Sequence, residues 1–374
     1  YKRQVPYYGM VSDGIGYIYF ERFVDGCSRD VRRAVVDLKE QGAKALVIDM
    51  RGNPGGPLSE AVEVTNLFVP RGQKVVYTKG KLASVNSEHY TKKEPLDVDI
   101  PVAVLVDGST ASSAEIVSGA WQDWDRAVIV GERTYGKGLV QMIREVPYHG
   151  SLKVTTSRYY IPSGRCIQAY DYRHLNPDGS AKTLPDSLTK AYKTAGGREV
   201  RDGGGIKPDV VITPDSLPSI VYDIATSDVL LDYVNHYVQT HATIAPAGDF
   251  SLTDADYADF VKMVEESDFT YKRRTEEMMK LLERTARFEG CYEGAKPEFE
   301  ALAAKMKGGV AADLELPKNK EEIKSVLESD IVARYYFRRG VVQQQLKTDK
   351  DLKTALEILT DTERYESLLK PVKK

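Results

Sequence analysis

The sequence predicts an α/β core followed by a mainly helical C-terminal half. Two nearly uninterrupted apolar runs, Ala45-Leu-Val-Ile-Asp49 and Val102-Ala-Val-Leu-Val106, have the texture of strands covered on both faces. Helical patterns fall between such runs, and that alternation argues for parallel pairings. From about Ser216 the strand signals fade and long helical patterns take over. The expected division is a core over residues 1–215, carrying a polar surface insertion at 169–205, and a helical domain over 216–374.

Gly16-Tyr-Ile-Tyr-Phe20 opens the core with the aromatic, β-branched character of a strand. Cys27 to Glu40 follows a helical period, with Val31, Ala34, Val35 and Leu38 on one face and Gly42 as the stop. After the Pro-Gly-Gly turn, Ser59 to Phe68 reads as a helix. Ala114 to Trp124 reads as a helix behind the second buried run, and Ala127-Val-Ile-Val130 as a third strand. Leu139 to Ile161 changes to the period-two texture of antiparallel strands, turning at His149-Gly150. Gly205 to Ile212 closes this half. The expected helices beyond it are Ile220–Gln239, Thr253–Phe288, Pro297–Met306 and Asn319–Leu346. Thr253 and Asn319 stand just ahead of acidic residues, as helix caps do.

Composition narrows the function classes. A chain of 374 residues is long enough for two domains, or three. Its net charge of −3 gives no reason to expect nucleic acid or an acidic membrane as the main partner. Cys27, Cys166 and Cys291 lie far apart, without metal-ligand spacing, and are expected to be small buried hydrophobes. No apolar run approaches the roughly 18 residues of a membrane-spanning helix. The chain starts at Tyr1 rather than Met and reads as a fragment or processed form.

Three stretches carry chemistry. Asp107-Gly-Ser-Thr-Ala-Ser-Ser-Ala-Glu-Ile116 places Ser109, Ser112 and Ser113 in a turn between a buried strand and a helix. There a hydroxyl is held in space beside unpaired helix-start N–H groups. A helix cap is the plainer reading of that turn taken alone. Gly136-Lys-Gly138 offers an amine between two glycines, with Gln141 four residues on as an uncharged partner. A lysine serves as general base once burial lowers its ammonium pKa, and a carboxylate partner would oppose that. Arg51-Gly-Asn-Pro-Gly-Gly56 offers backbone N–H groups at Gly55 or Gly56 to a developing oxyanion. Nucleophile, base and oxyanion donors together point to serine–lysine hydrolysis.

These stretches, with Tyr160-Ile-Pro-Ser-Gly-Arg-Cys-Ile-Gln168 and Gly205-Ile-Lys-Pro-Asp209, resemble the C-terminal processing peptidases, also called tail-specific proteases. The resemblance covers roughly residues 10–213 in the family's order. It implies a crotonase/ClpP-like α/β core with a mixed sheet. It assigns the nucleophile to Ser112, three residues before the glutamate, in preference to its neighbour Ser113. It assigns the base to Lys137, 25 residues after Ser112, and the residue orienting it to Gln141. The oxyanion donors it implies are the backbone N–H of Ser113 and that of Gly55 or Gly56.

The implied activity is endopeptidase cleavage of flexible C-terminal tails on polypeptide substrates, with no metal or organic cofactor. A homo-oligomer is left open. The family usually carries a PDZ module before this core, and here the first core strand lies almost at the N-terminus, so the chain reads as a form without that module. The resemblance also implies the periplasm or cell envelope. The alternative is a catalytically silent peptide-binding scaffold on the same fold. A crotonase-like hydratase would not need the serine–lysine pair. None of His89, His149, His174, His236 or His241 sits in a setting that suits a Ser-His-Asp hydrolase.

Overall fold

The apolar runs become neighbouring parallel strands. The computed structural model describes residues 4–214, 216–306 and 309–371. The chain opens with β1 (Tyr7–Ser12), β2 (Ile15–Tyr19), α1 (Cys27–Glu40), β3 (Ala45–Asp49) and α2 (Leu58–Thr65). Next come β4 (Lys74–Gly80), β5 (Ser87–Tyr90), β6 (Val102–Val106), α3 (Ser113–Asp123) and β7 (Val128–Gly131). A long hairpin comes next, β8 (Leu139–Val146) and β9 (Gly150–Tyr160). Two short ones come after it, β10 (Tyr170–Leu175) with β11 (Ala181–Thr183), and β12 (Ala191–Lys193) with β13 (Glu199–Arg201). The short strand β14 (Val210–Val211) completes the run.

The main sheet has the order β1-β2-β3-β6-β7-β14, parallel except for the β1–β2 pair. A second, antiparallel sheet has the order β5-β4-β9-β8. The loops after β3, β6 and β7 therefore leave the same edge of the sheet, at the carboxyl ends of three adjacent parallel strands. Open α/β sheets build their sites at that edge. The three chemistry-bearing stretches are these three loops.

The alternation of side chains along the strands puts Leu46, Ile48, Val102, Val104 and Ile129 into the main core with α1, α2 and α3. Their neighbours Val47, Ala103, Leu105 and Val130 are equally buried but outside that cluster, on the opposite face. Their cover comes from far along the chain.

The described residues divide into two units, one running to Pro214 and resuming at Asp349, the other spanning Asp215–Thr348. The second unit holds α4 (Ser219–Ala225), α5 (Asp228–Thr240), α6 (Asp254–Glu266), α7 (Arg274–Phe288), α8 (Tyr292–Met306), α9 (Val310–Leu314) and α10 (Pro317–Gln345). Its core, which includes Ile224, Tyr233, Phe260, Leu327 and Ile331, is drawn from α4, α5, α6, α9 and α10, while α7 packs against α8. The final helices, α11 (Lys350–Thr360) and α12 (Thr362–Leu368), belong to the first unit. Helix α11 lies against β3, β6 and β7, burying Leu352, Ala355, Ile358 and Leu359. Tyr365 of α12 is buried, and its hydroxyl oxygen accepts the Val102 N–H at 3.1 Å.

Several expectations change. A helical domain over 216–374 is corrected at its C-terminal end: residues 349–371 cover the second face of the core sheet, because the apolar stripe of α11 finds its partner there. The boundary expected at 215 falls on a residue outside the described ones. The insertion at 169–205 is hairpin structure with buried points at Thr189, Thr194, Arg198 and Val200. The helix expected over Ile220–Gln239 breaks at Thr226-Ser227. The helix expected over Thr253–Phe288 breaks over 267–273, where Tyr271 and Arg273 both bond Asp313 instead of continuing the period. Of the three free cysteines only Cys27 is buried. Cys166 is half-buried, and Cys291 lies exposed in the turn between α7 and α8.

Candidate active site

The serine loop is held from both ends. Asp107 Oδ1 accepts the N–H groups of Ser109 and Thr110 at 2.9 and 2.8 Å. The Thr110 hydroxyl donates to Met50 O at 2.9 Å, and Ala111 N–H to Asn53 O at 2.9 Å, so this loop rests on the one after β3. Ser112 is the N-cap of α3, at φ 57° and ψ −118°. That conformation is costly for a residue with a Cβ and is characteristic of functional turns. Ser112 is half-buried, and among the described residues its hydroxyl donates to no acceptor. Ser113 is different. Its hydroxyl donates to Gly56 O at 2.7 Å and the residue is buried, which commits it to structure. Ser109 lies on the exposed part of the loop.

The glycine loop presses against this serine. Gly55 has φ +84°, and a Cβ there would meet Ala111 O at 2.6 Å and Ser112 Cβ and Ser113 N at 2.7 Å. Its N–H donates to the buried Asn53 Oδ1 at 2.9 Å, and Asn53 Nδ2 donates to Phe20 O at 2.8 Å. An oxyanion role for Gly55 therefore meets a physical obstacle: its N–H is already engaged. The N–H groups of Gly56 and Ser113 have no partner among the described residues. Gly55→Ala is expected to cost at least about 1 kcal/mol from the backbone conformation alone. Because the clashing atoms are mostly backbone, it is also expected to displace Ser112 and lower kcat by roughly tenfold to a hundredfold. Thermal unfolding and steady-state kinetics on the variant check both.

Glu115 joins the serine to the lysine. Fully buried, its Oε2 accepts the backbone N–H groups of Ser112 at 2.8 Å and Lys137 at 2.9 Å. Its Oε1 accepts Gly136 N–H at 2.7 Å and the Thr134 hydroxyl at 2.6 Å. Burial pushes this carboxyl above its ordinary range, while the four donors favour the ionised form. Tyr159 adds a second tie, its buried hydroxyl lying 2.5 Å from Lys137 O and 3.3 Å from Ser112 O. The glycines beside Lys137 let residues 168 and 169 approach: a Cβ at Gly136 would meet Ala169 Cβ at 2.4 Å, and one at Gly138 would meet Gln168 N at 2.7 Å.

Lys137 is half-buried, and no hydrogen bond joins its amine to Ser112 Oγ. Gln141 lies exposed on β8 opposite Thr155 and makes no hydrogen bond to that amine. The sequence-based pairing of Gln141 with Lys137 is thus not made here, because β8 carries the amide out along an exposed strand.

Glu115→Gln keeps the shape but sets an NH2 against N–H donors. It is expected to cost about 2–4 kcal/mol of stability, read as a lowered Tm, with loss of activity because both backbones shift. Reading the motifs alone used Glu115 only as a spacing marker. Its position three residues after an N-cap serine is the capping-box position, which was the available signal. Asn53 and Tyr159 gave none, since one sits in a turn-like run and the other among strand tyrosines.

Residues 14–181 match the model of Peptidase family S41, and residues 220–359 match "Probable PDZ-protease, C-terminal helical domain". A carboxy-terminal-processing protease of Bartonella bacilliformis is 35% identical over 196 residues, 51% of this chain and 44% of the relative. A carboxyl-terminal-processing protease of Synechocystis is 37% identical over 148 residues, 40% of this chain and 34% of the relative. The matched segments thus span less than half the length of these relatives. Among solved structures, a photosystem II D1 C-terminal processing protease is similar at 27% identity, with 55% of this chain and 44% of that chain covered and a TM-score of 0.41. Among the described residues no helix is long and apolar enough to cross a membrane. Over residues 14–181 this chain is thus similar to peptidase family S41, and over residues 220–359 to the helical domain that the second model describes.

Proposed function

We propose that this chain is a serine endopeptidase that cleaves the flexible C-terminal tails of other proteins through Ser112 and Lys137. The observation that carries the reading is Glu115, one buried carboxylate that receives the backbone N–H of both residues and so fixes them as one site. The Lys137 amine takes the proton from Ser112 Oγ as the oxygen attacks the scissile carbonyl. The N–H groups of Gly56 and Ser113 receive the oxyanion. The Lys137 ammonium then gives its proton to the leaving amine, and the new C-terminus remains as an ester on Ser112. Water attacks that ester, passing a proton to Lys137, and Ser112 recovers its hydrogen.

Sites of this kind often tighten only when substrate arrives, which accommodates the missing Ser112–Lys137 hydrogen bond. Gln141 is assigned to the amine in that tightened state. An extended tail has a free strand edge to join at β8, the outer strand of the second sheet. The site of action we infer from the family resemblance is the periplasm or cell envelope.

The unjoined hydroxyl and amine also suit the second reading, a silent scaffold that binds tails without cutting them. Incubation of the chain with a protein carrying an unstructured C-terminal tail, with products mapped by mass spectrometry, separates the two. New C-termini within the tail are expected. Stable tail binding without any cleavage would replace the peptidase by the scaffold.

A further inference from the structure

The C-terminal segment that closes the second face of the sheet also reaches the oxyanion loop. Arg51, the first residue of that loop, is surrounded by three carboxylates. Its Nε lies 3.0 Å from Asp49 Oδ1, and its Nη2 pairs with both Asp49 Oδ2 and Asp349 Oδ2. The remaining guanidinium nitrogen lies 3.1 Å from both Asp349 Oδ1 and Asp351 Oδ2. Asp49 and Asp349 thus each take a two-point grip, on different edges of the fork. Asp349 stands 298 residues from Arg51 and is the first residue of the chain's return to this unit.

Arg51 anchors a loop with little stiffness of its own. Arg51-Gly-Asn-Pro-Gly-Gly56 has three glycines in six residues, and such a backbone is loose unless pinned. The pins form a short relay. Arg51 is fixed by the carboxylates, and Gly52 N–H donates to both Asp107 oxygens at 3.0 Å. The same Asp107 holds Ser109 and Thr110, next to the nucleophile. Asn53 then fixes Gly55 and accepts from Ala111. One cation against three carboxylates is more negative charge than a simple stabilising pair needs. Asp351 is accordingly pushed above its ordinary range, first by burial, with Asp349 and Asp49 adding to it against the pull of Arg51.

We propose that Asp349, with Asp351 beside it, is a positioning residue for hydrolysis, acting through Arg51 to fix the loop that presents the Gly56 N–H to the oxyanion. The proposal rests on the serine-peptidase reading above for its kinetic arm and on the loop geometry alone for its structural arm. Asp349 has a second task, as N-cap of α11, where its Oδ1 accepts Leu352 N–H at 3.0 Å. Asparagine caps helices as well as aspartate does. Asp349→Asn therefore keeps the cap while removing the charge.

The test uses the full chain with Asp349→Asn, Asp351→Asn and the double variant. Glu366→Gln serves as a control, since that residue forms an exposed pair with Lys370 in the same segment. Cleavage of an unstructured-tail substrate is read as kcat and KM separately, alongside Tm and amide hydrogen exchange over residues 50–56 and across α11. Asp349→Asn is expected to lower kcat by roughly tenfold to a hundredfold with KM within about twofold. Exchange over 50–56 is expected to quicken by roughly tenfold while α11 keeps its protection. Unchanged exchange over 50–56, or exchange that quickens equally in α11 and the sheet, overturns the proposal, the latter by showing a merely structural role. Full kcat in Asp349→Asn, beside a wild type whose cleavage is lost in Ser112→Ala, overturns it while leaving the peptidase reading intact. If the wild type shows no Ser112-dependent cleavage, the peptidase reading falls, and the exchange measurement by itself decides whether these carboxylates fix the loop.

Discussion

Ser112→Ala is expected to reduce kcat/KM for an unstructured-tail substrate by roughly four to six orders of magnitude, as loss of a serine nucleophile does. The loss should come without unfolding. The Ser112 hydroxyl donates to nothing among the described residues, and the ties that hold this position run through its backbone to Glu115 and Tyr159. The Ala variant is therefore expected to keep its Tm within a few degrees. The strained backbone at φ 57° and ψ −118° adds a sharper check. Ser112→Gly removes the Cβ that makes this conformation costly, an effect of about 1–3 kcal/mol set against the greater freedom of glycine in the unfolded chain. It should be at least as stable as the wild type and equally inactive. Retained cleavage in either variant would remove Ser112 from the mechanism.

Lys137 is expected to be nearly as demanding. Lys137→Ala should lower kcat by roughly a thousandfold to ten-thousandfold, the scale of a lost general base. Lys137→Arg should fare no better, because a guanidinium holds its proton and so cannot accept one from Ser112. That comparison separates two roles. A lysine serving only as a positive charge would tolerate arginine, and a lysine serving as a base would not. Both variants should fold, since the hydrogen bonds found at Lys137 are those of its backbone N–H to Glu115 and its carbonyl with Tyr159. High activity in Lys137→Arg, measured with the same substrate, would require a different base.

Much of the architecture was legible because local pattern and fold agree. The apolar face of Cys27–Glu40, with Gly42 after it, reappears as α1 within the same bounds. The uninterrupted runs at 45–49 and 102–106 announced strands buried on both faces, and they are. The helical half was harder. The period continues through Ser267 and Asp268 without a glycine or proline to stop it, yet Tyr271 and Arg273 find Asp313, and those contacts outweigh the local helical preference.

The candidate site divides in the same way. Ser112 and Lys137 lie on loops whose starting strands were visible, so their proximity followed once the strands were paired as β3-β6-β7. Gln141 was placed by its spacing from Lys137 and by the family resemblance, and neither tells that β8 leaves it in solvent. Gly55 and Gly56 were equivalent in the sequence. They differ in the fold because the Asn53 side chain takes one N–H and leaves the other.

The order of residues already contained the chemical groups of the proposed serine–lysine site, their succession, and the need for cover on both faces of the central strands. It did not contain what supplies that cover or what holds the site. Those came from the folded chain: α11 from residues 350–360, Asp349 on Arg51, and Glu115 between Ser112 and Lys137. The physical reason is range. Periodicity and capping record what a residue's near neighbours require. The allocation of a buried hydrogen bond or apolar face depends instead on which distant segment arrives, and a chain returning 298 residues later leaves no local trace of where it will dock.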